Sequence, residues 1–294
     1  MKALFAMTAL GALCLALGMP AQGAPVTVEG AFIRLGVSNS GALIDHTTTT
    51  GIKFDPTGSG DFSTPIDYLT PGTPFAFYSL GVNGDFRTAG GFDFDNNPFG
   101  ATTVNLAPEG GPPSILTSGG MFGGLSFTQV LSFDLSSRTI RARLTFTNVS
   151  GTALDNVTYA VGFDPDQDID YPESEAFDTD NRVNGQGAAA SVTAVGPGLG
   201  YGITLANASG WTDTFAGNRI GRETNPYILA ASGVDDGFED TELTLGYNLG
   251  AFAPSEQKTI GYDYTLFIAE VPEPGVLPLM FAGLLLIGLR RNRP

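Results

Sequence analysis

The sequence predicts an all-β fold, a large antiparallel β-sandwich made of two sheets. Apolar and polar residues alternate with a period of two over several stretches, which is typical of strands with one buried face. Glycine contributes 40 and proline 19 of the 294 residues, so turns should be frequent and long helices are not expected. The chain shows no internal repeat of roughly 20–50 residues, which disfavours a solenoid or a propeller.

Three segments show this alternation most clearly, at 139–147, 125–133 and 260–266. Their apolar faces are Ile140, Ala142, Leu144 and Phe146; Leu125, Phe127, Leu131 and Phe133, interrupted only by Gln129; and Ile260, Tyr262, Tyr264 and Leu266. Shorter candidate strands cover 26–35, 75–82, 101–106, 155–163, 189–195, 199–206, 227–232 and 241–248. More than eight strands separated by turn signals predict a sandwich, for which 21 Phe, 9 Tyr and 1 Trp supply an aromatic core.

Residues 1–23 have the features of a secretory signal peptide and predict an N-terminal signal helix. Lys2 precedes an apolar run, and small residues at Ala21 and Gly23 place cleavage by signal peptidase after Gly23. Cys14, the one cysteine in the sequence, would leave with this segment. The exported body, residues 24–270, would then lack disulfides and would depend on its core, or on bound ions, for stability.

The predicted body is strongly acidic. The whole chain has 30 acidic residues against 14 Lys plus Arg; without Lys2, Arg290, Arg291 and Arg293, which lie in the terminal segments, the balance is 30 against 10. A net charge of about −20 argues against binding to nucleic acid or to anionic membranes. The same charge favours cations as partners.

The last 24 residues, 271–294, form a third segment. Val271, Pro272, Glu273 and Pro274 lead into the apolar run 275–289, and the basic residues Arg290, Arg291 and Arg293 follow it. As a helix, the apolar run would be about 23 Å long, short for a membrane span of about 30 Å. The arginines can extend to the lipid interface and predict that this end lies in the cytoplasm, with the body outside.

This order of a Pro-Glu-Pro box, a short transmembrane helix and an arginine cluster resembles the PEP-CTERM sorting signal. The resemblance implies a Gram-negative bacterium and processing by an exosortase after a transient stay in the inner membrane. It also implies transfer to the cell surface or the extracellular matrix, often together with exopolysaccharide.

A second resemblance concerns the body. The stretch 146–168, Phe-Thr-Asn-Val-Ser-Gly-Thr-Ala-Leu-Asp-Asn-Val-Thr-Tyr-Ala-Val-Gly-Phe-Asp-Pro-Asp-Gln-Asp, is similar to paired strands before an Asp-rich loop in bacterial surface β-sandwich modules. Some of these modules are supersandwiches related to carbohydrate-active enzymes. The resemblance implies one long sandwich over 24–270, not two small ones.

An acidic loop beginning at Asp164 is the candidate metal site. Its predicted ligands are Asp164, Asp166, Asp168, Asp170 and Glu175. Glu175 occupies position 12 counted from Asp164, as in an EF-hand, but Ile169 replaces the turn glycine and the flanks do not resemble helices. Since no Lys or Arg lies between Asp164 and Asp180, calcium is the expected neutralising ion, and a solvated acidic loop is the alternative. Smaller acidic clusters occur at 93–97 and 235–242.

The sequence identifies no catalytic residue. His46 is the one histidine and precedes a run of four threonines, and the chain has no Gly-x-Ser-x-Gly motif. Two function classes remain open. The first is a non-enzymatic, calcium-stiffened surface or matrix protein associated with polysaccharide; the second is a carbohydrate-active enzyme or carbohydrate-binding protein. A cleft with two carboxylates at glycosidase spacing and a sugar-stacking aromatic would favour the second, and a closed sandwich without a cleft would favour the first.

Overall fold

The computed structural model describes residues 23–63, 66–107, 110–167 and 177–269. The signal segment before Gly23 and the tail 271–294 lie outside these residues, and so do the helices predicted there. Within the described part, no helix is both long enough and apolar enough to cross a membrane.

The described residues confirm the predicted class, because they fold almost entirely into antiparallel strands. In chain order the strands are β1 (Val26–Glu29), β2 (Ile33–Val37), β3 (Ile52–Phe54), β4 (Ile66–Asp67), β5 (Ala76–Val82), β6 (Asp85–Gly91), β7 (Thr102–Asn105), β8 (Ser114–Phe122), β9 (Leu125–Ser132), β10 (Thr139–Asn148), β11 (Leu154–Phe163), β12 (Thr179–Gly185), β13 (Ser191–Val195), β14 (Tyr201–Asn207), β15 (Thr214–Arg219), β16 (Phe238–Glu239), β17 (Glu242–Phe252) and β18 (Gln257–Ile268). A 3₁₀ turn covers Gly187–Ala189, and one short helix, α1, covers Pro226–Leu229.

Two sheets form the sandwich, and a third, smaller sheet accompanies them. As far as the chain is described, the large sheet has the order β16-β12-β13-β14-β18-β10-β9-β8-β7, and its partner has the order β15-β17-β11-β5-β6. The small sheet has the order β1-β2-β3-β4. The sequence predicted the first two layers but not a separate small sheet, because 26–35 reads as one strand while the structure turns between Glu29 and Ile33.

Aromatic side chains from the two large sheets form the centre of the core. Tyr159 of β11 contacts Tyr262 of β18, with ring centroids 6.4 Å apart, and their hydroxyls lie 3.1 Å apart within hydrogen-bonding distance. Tyr159 also packs on Phe146 of β10, 5.5 Å away, and Tyr78 of β5 packs on Phe127 of β9, 5.7 Å away. The three predicted apolar faces are therefore buried between the sheets, and Gln129, which interrupts one of them, is buried with them.

One candidate strand, 227–232, is wrong: the segment begins with α1. The side chain of Asn225 accepts a hydrogen bond from the backbone N–H of Tyr227 at 3.0 Å, and Pro226 occupies the first helical turn. Both are favourable at a helix N-terminus, where backbone N–H groups have no partner within the helix. The sequence Asn225-Pro226 therefore starts a helix before the apolar residues that resemble a strand.

Candidate functional site

The period-two alternation of β11 positions two of the predicted ligands. Tyr159, Val161 and Phe163 face the sandwich core, so Gly162 faces the outer side of the five-stranded sheet. Continuing this alternation beyond the strand places Asp164 and Asp166 on the outer side too. Their backbones are fixed there, because Asp164 N donates to Phe75 O at 3.0 Å and Asp166 N donates to Tyr68 O at 3.1 Å.

The outer side of this sheet is covered by the connection between β15 and β17, residues 220–241, which includes α1 and β16. Small residues let it lie close to the sheet: a Cβ at Gly246 would lie only 2.2 Å from the carbonyl oxygen of Leu229. Leu229 packs with Phe75, Phe77 and Ala160 in a separate apolar cluster on this side. The five-stranded sheet is therefore buried on both faces near the end of β11.

Hydrogen bonds to Asn218 of β15 hold the 235–237 part of this connection. Its side-chain oxygen accepts from Asp236 N at 2.7 Å and Gly237 N at 3.0 Å, and its amide donates to Asp235 Oδ1 at 2.7 Å. Asn218 is fully buried. It thereby fixes the start of the acidic cluster 235–242, whose residue Asp240 lies near the end of β11.

Asp164, Asp166 and Asp240 form one carboxylate cluster. One oxygen of each lies within 4.8 Å of an oxygen of the other two, and the three residues could hold a metal ion. Asp164 and Asp166 are 2% exposed, whereas the side chain of Asp240 is 40% exposed and gives the cluster a solvent side. No described residue donates a hydrogen bond to Asp166 Oδ1, which leaves a buried acceptor without a partner on a member of the cluster.

Arg222 is the basic partner of this cluster. Its Nη2 forms an ion pair with Asp164 Oδ2 and lies 3.6 Å from Asp240 Oδ1. The guanidinium also lies over the rings of Phe75 and Phe92, 5.7 and 5.5 Å from their centroids. The sequence shows no basic residue between Asp164 and Asp180, but the fold supplies one from another part of the chain.

Burial and mutual repulsion keep protons on these carboxyl groups. Burial, reinforced by the charge of Asp240, raises the pKa of Asp164 to about 7 although Arg222 opposes the shift. Burial and the neighbouring charge of Asp164 raise the pKa of Asp166 to about 8. Glu242 is the buried first residue of β17. Its pKa is raised to about 9, mainly by burial. A site that retains protons near neutral pH lacks enough positive charge to balance its carboxylates.

The cluster has the chemistry of a hard-cation site. Calcium binds carboxylate oxygens at about 2.3–2.6 Å, so two ligands on opposite sides of one ion are about 5 Å apart or less. The oxygen separations in the cluster satisfy this limit. Because the ligands are all oxygen, they suit calcium, magnesium or manganese better than zinc or copper.

The structure describes only part of the predicted ligand set. Asp164 and Asp166 lie together as the sequence suggested, but Asp168, Asp170 and Glu175 are outside the described residues. The third described member, Asp240, comes from the smaller acidic cluster 235–242, which the sequence had not joined to Asp164. Both acidic clusters are visible in the sequence. Their contact is not, because it depends on the path of residues 220–241.

The other polar features of the sequence form local turns. Asp45 Oδ1 accepts hydrogen bonds from Thr47 N at 2.9 Å and from Thr48 N at 3.3 Å, which organises the threonine run as a single turn. His46 Nε2 lies 3.6 Å from Asp95 Oδ1, an exposed carboxylate of the 93–97 cluster.

Fold and site together define an all-β antiparallel sandwich with a buried carboxylate cluster at the end of β11. No family model matches the chain, and no curated protein matches it. Solved structures with partial likeness include a putative aldose 1-epimerase from Escherichia coli K12, with 14% identity and a TM-score of 0.44 over 83% of this chain and 99% of that chain.

Two longer proteins show similar likeness. The α-N-acetylgalactosaminidase NagBb from Bifidobacterium bifidum has 10% identity and a TM-score of 0.47, over 83% of this chain and 36% of that chain. A polysaccharide lyase has 9% identity and a TM-score of 0.37, over 86% of this chain and 33% of that chain. The chain spans about a third of the length of each. Likenesses this low carry no argument about what the chain does.

Proposed function

We propose that this chain is an exported, non-enzymatic cell-surface or extracellular-matrix protein whose β-sandwich is stiffened by one calcium ion bound at Asp164, Asp166 and Asp240. The observation that carries the cation site is Asp166 Oδ1, a buried carboxylate oxygen to which no described residue donates a hydrogen bond. A buried, unsatisfied acceptor is costly, and an ion coordinated by it removes the cost.

Charge favours a divalent ion at this site. Three carboxylates and one guanidinium leave a deficit of two positive charges when the acids are ionised. One calcium ion supplies that charge and tolerates the irregular geometry of ligands from separate loops, whereas magnesium demands near-ideal octahedral geometry. Millimolar affinity is sufficient outside the cell, where extracellular modules bind calcium with dissociation constants of about 10⁻⁴–10⁻³ M.

Stiffening would follow from the origin of the ligands. Asp164 and Asp166 extend from β11, whereas Asp240 lies just before β17, at the end of the connection that covers the sheet. A shared ion would fasten that connection to the sheet edge. At ten times the dissociation constant the gain in folding free energy is about 1.4 kcal/mol.

Thermal melting in calcium, in magnesium and in EDTA tests this proposal. We expect calcium to raise the melting temperature of the wild type by a few degrees, and Asp166→Asn and Asp240→Asn to remove the increase. The matched control is Asp155→Asn, the same substitution at an exposed position of β11, the strand that precedes Asp166; it should respond to calcium as the wild type does. If the wild type melts at the same temperature in calcium and in EDTA, the carboxylate cluster does not bind calcium and the proposal is wrong.

The exported location rests on the terminal segments of the sequence. In this proposal signal peptidase cleaves after Gly23, and an exosortase recognises Val271–Pro274 and the arginines Arg290, Arg291 and Arg293 while the tail is held in the inner membrane. Exopolysaccharide is the proposed companion at the surface. Intact-mass measurement of the surface form should show that residues 1–23 and the apolar tail are missing. A surface form that still ends at Pro294 would contradict sorting by an exosortase.

A carbohydrate-active enzyme is the second candidate, and one observation favours it. Burial raises the pKa of Asp166 to about 8, so this carboxylic acid could act as a general acid at neutral pH. Exposed Phe92, Phe177 and Phe238 are available to stack on a sugar. The three carboxylates of the cluster, with oxygens within 4.8 Å of one another, are too close for an inverting pair, whose carboxyl groups are about 6.5–9.5 Å apart. Release of reducing sugar from polysaccharide by the wild type but not by Asp166→Asn would favour the enzyme.

A further inference from the structure

Arg222 occupies the position in which a metal ion would meet two of its ligands. Its Nη2 is paired with Asp164 Oδ2 and lies 3.6 Å from Asp240 Oδ1. An ion coordinated by both oxygens would lie about 2.3–2.6 Å from each. The guanidinium and the ion would then compete for the same side of the same carboxylates, and because both are positively charged they would repel each other strongly.

The main chain at Arg222 is held in an uncommon conformation. Its φ is 56°, in the left-handed region that non-glycine residues rarely adopt. Glu223, the residue after Arg222, is held by buried Glu242, whose Oε1 accepts a hydrogen bond from Glu223 N at 2.7 Å. Glu223 Oε1 in turn accepts a hydrogen bond from Asn225 N at 2.7 Å. The turn therefore directs Arg222 into the cluster, and only the side chain has to move for the guanidinium to leave.

The guanidinium already has an exposed contact outside the carboxylates, the ring of Phe92. Phe92 is 59% exposed, and its ring centroid lies 5.5 Å from Arg222 Cζ. A cation is attracted to the face of an aromatic ring within about 6 Å of its centroid. The side chain of Arg222 is 26% exposed, so it can move outward over Phe92 without crossing the core.

We propose that Arg222 is a tethered counter-ion that a divalent cation displaces. Without the ion, the guanidinium holds Asp164 and Asp240 together and closes the site. With the ion bound to Asp164, Asp166 and Asp240, the guanidinium moves outward onto Phe92. Monovalent ions do not displace it, since they bring no more charge than the guanidinium already supplies. This inference rests on the proposed cation site and adds how that site is regulated.

Calcium titration of the full chain by calorimetry tests the exchange. Arg222→Gln should bind calcium at least tenfold more tightly than the wild type, because the ion no longer has to displace a positive charge. Arg222→Lys, which keeps the charge, should stay within about threefold of the wild type. The control is Arg219→Gln, which removes a guanidinium that is hydrogen-bonded to Ser232 O and not to the carboxylate cluster. It should change the affinity for calcium far less. Unchanged or weaker binding by Arg222→Gln overturns the exchange.

Side-chain NMR of the wild type gives a readout that does not depend on how the variants fold. The Arg222 guanidinium signal should shift on addition of calcium and should not shift in an equal ionic strength of sodium chloride. A signal unmoved by saturating calcium overturns the displacement. If neither the wild type nor any variant binds calcium, the cation site itself is wrong. If the wild type binds calcium while Arg222→Gln gains nothing, only the exchange is wrong.

Discussion

Asp166 and Asp240 lie far apart in the sequence, yet a carboxylate oxygen of each lies within 4.8 Å of the other. The first follows β11, and the second precedes β17, which pairs with β11 in the same sheet. Their proximity is thus set by one antiparallel ladder and by the connection that returns Asp240 to it. Any substitution that shifts this connection should disturb the carboxylate cluster even when no carboxylate is changed.

Glu242 should make stability depend on pH. Burial is the main cause that raises its folded-state pKa from 4.5 to about 9. Between pH 4.5 and pH 9 the folded protein therefore binds more protons than the unfolded chain. The stability contributed by this group is complete below pH 4.5 and is lost as pH rises towards 9. We therefore compare the free energy of unfolding of Glu242→Gln with that of the wild type in EDTA. As pH rises from 6 to 9, the difference should grow in favour of the variant by about 2 kcal/mol or more.

Urea denaturation at several pH values checks this expectation for Glu242. The control is Glu239→Gln, the same substitution at a nearby exposed residue. It should follow the wild-type pH dependence throughout. Parallel curves for Glu242→Gln and the wild type would show that Glu242 is already ionised in the folded state.

Gly246→Ala should lift the connection from the sheet. A Cβ at this position would meet only backbone atoms, at 2.2 Å from Leu229 O, 2.3 Å from Leu229 C and 2.5 Å from Ala230 N. Backbone cannot rotate away as a side chain can, so we expect a loss of about 2–3 kcal/mol, in the range for overpacking. Gly261→Ala, where the nearest atom is Ala142 O at 3.1 Å, should cost less than about 1 kcal/mol. Similar losses for the two variants in chemical denaturation would mean that the close approach at Gly246 is unimportant.

Asn218→Ala should loosen the acidic cluster 235–242. The substitution removes three side-chain hydrogen bonds, to Asp236 N, Gly237 N and Asp235 Oδ1, and leaves buried groups without partners. We expect about 2–3 kcal/mol less stability and a weaker calcium response, because Asp240 lies three residues after Gly237. Asn184→Ala, which removes an exposed hydrogen bond to Thr193 Oγ1, should change neither by much. If Asn218→Ala is less stable but responds to calcium as the wild type does, the hydrogen bonds of Asn218 do not determine the position of Asp240.

Alternation allowed much of the fold to be predicted. Ile140, Ala142, Leu144 and Phe146 are buried and Arg141 and Arg143 are exposed in β10, because side chains on a strand point to opposite faces whatever the rest of the chain does. The same local rule placed Asp164 and Asp166 on one side of the chain. It failed at 227–232, where Asn225 and Pro226 favour a helix start over the strand pattern that follows.

The rest of the site depends on contacts between distant segments, which no local pattern encodes. Arg222 pairs with Asp164 from a backbone with a positive φ, and a single sequence gives no reason to expect this conformation of an arginine. Asp240 joins the cluster because Asn218 and Gly246 fix the path of the covering connection. Burial of the acids, and with it the rise in their pKa values, is decided by that same path.

The position of β18 has a mechanical consequence. This strand is the last one described before the tail, and it lies inside the large sheet, hydrogen-bonded to β10 on one side and to β14 on the other. A force applied through the tail would load both ladders in shear, parallel to the strand, and could not peel β18 from an edge one hydrogen bond at a time. Rupture under such a load is governed by the rate of unfolding and not by the equilibrium free energy. A domain tethered at this end would resist drag in flowing liquid even if its overall stability were modest.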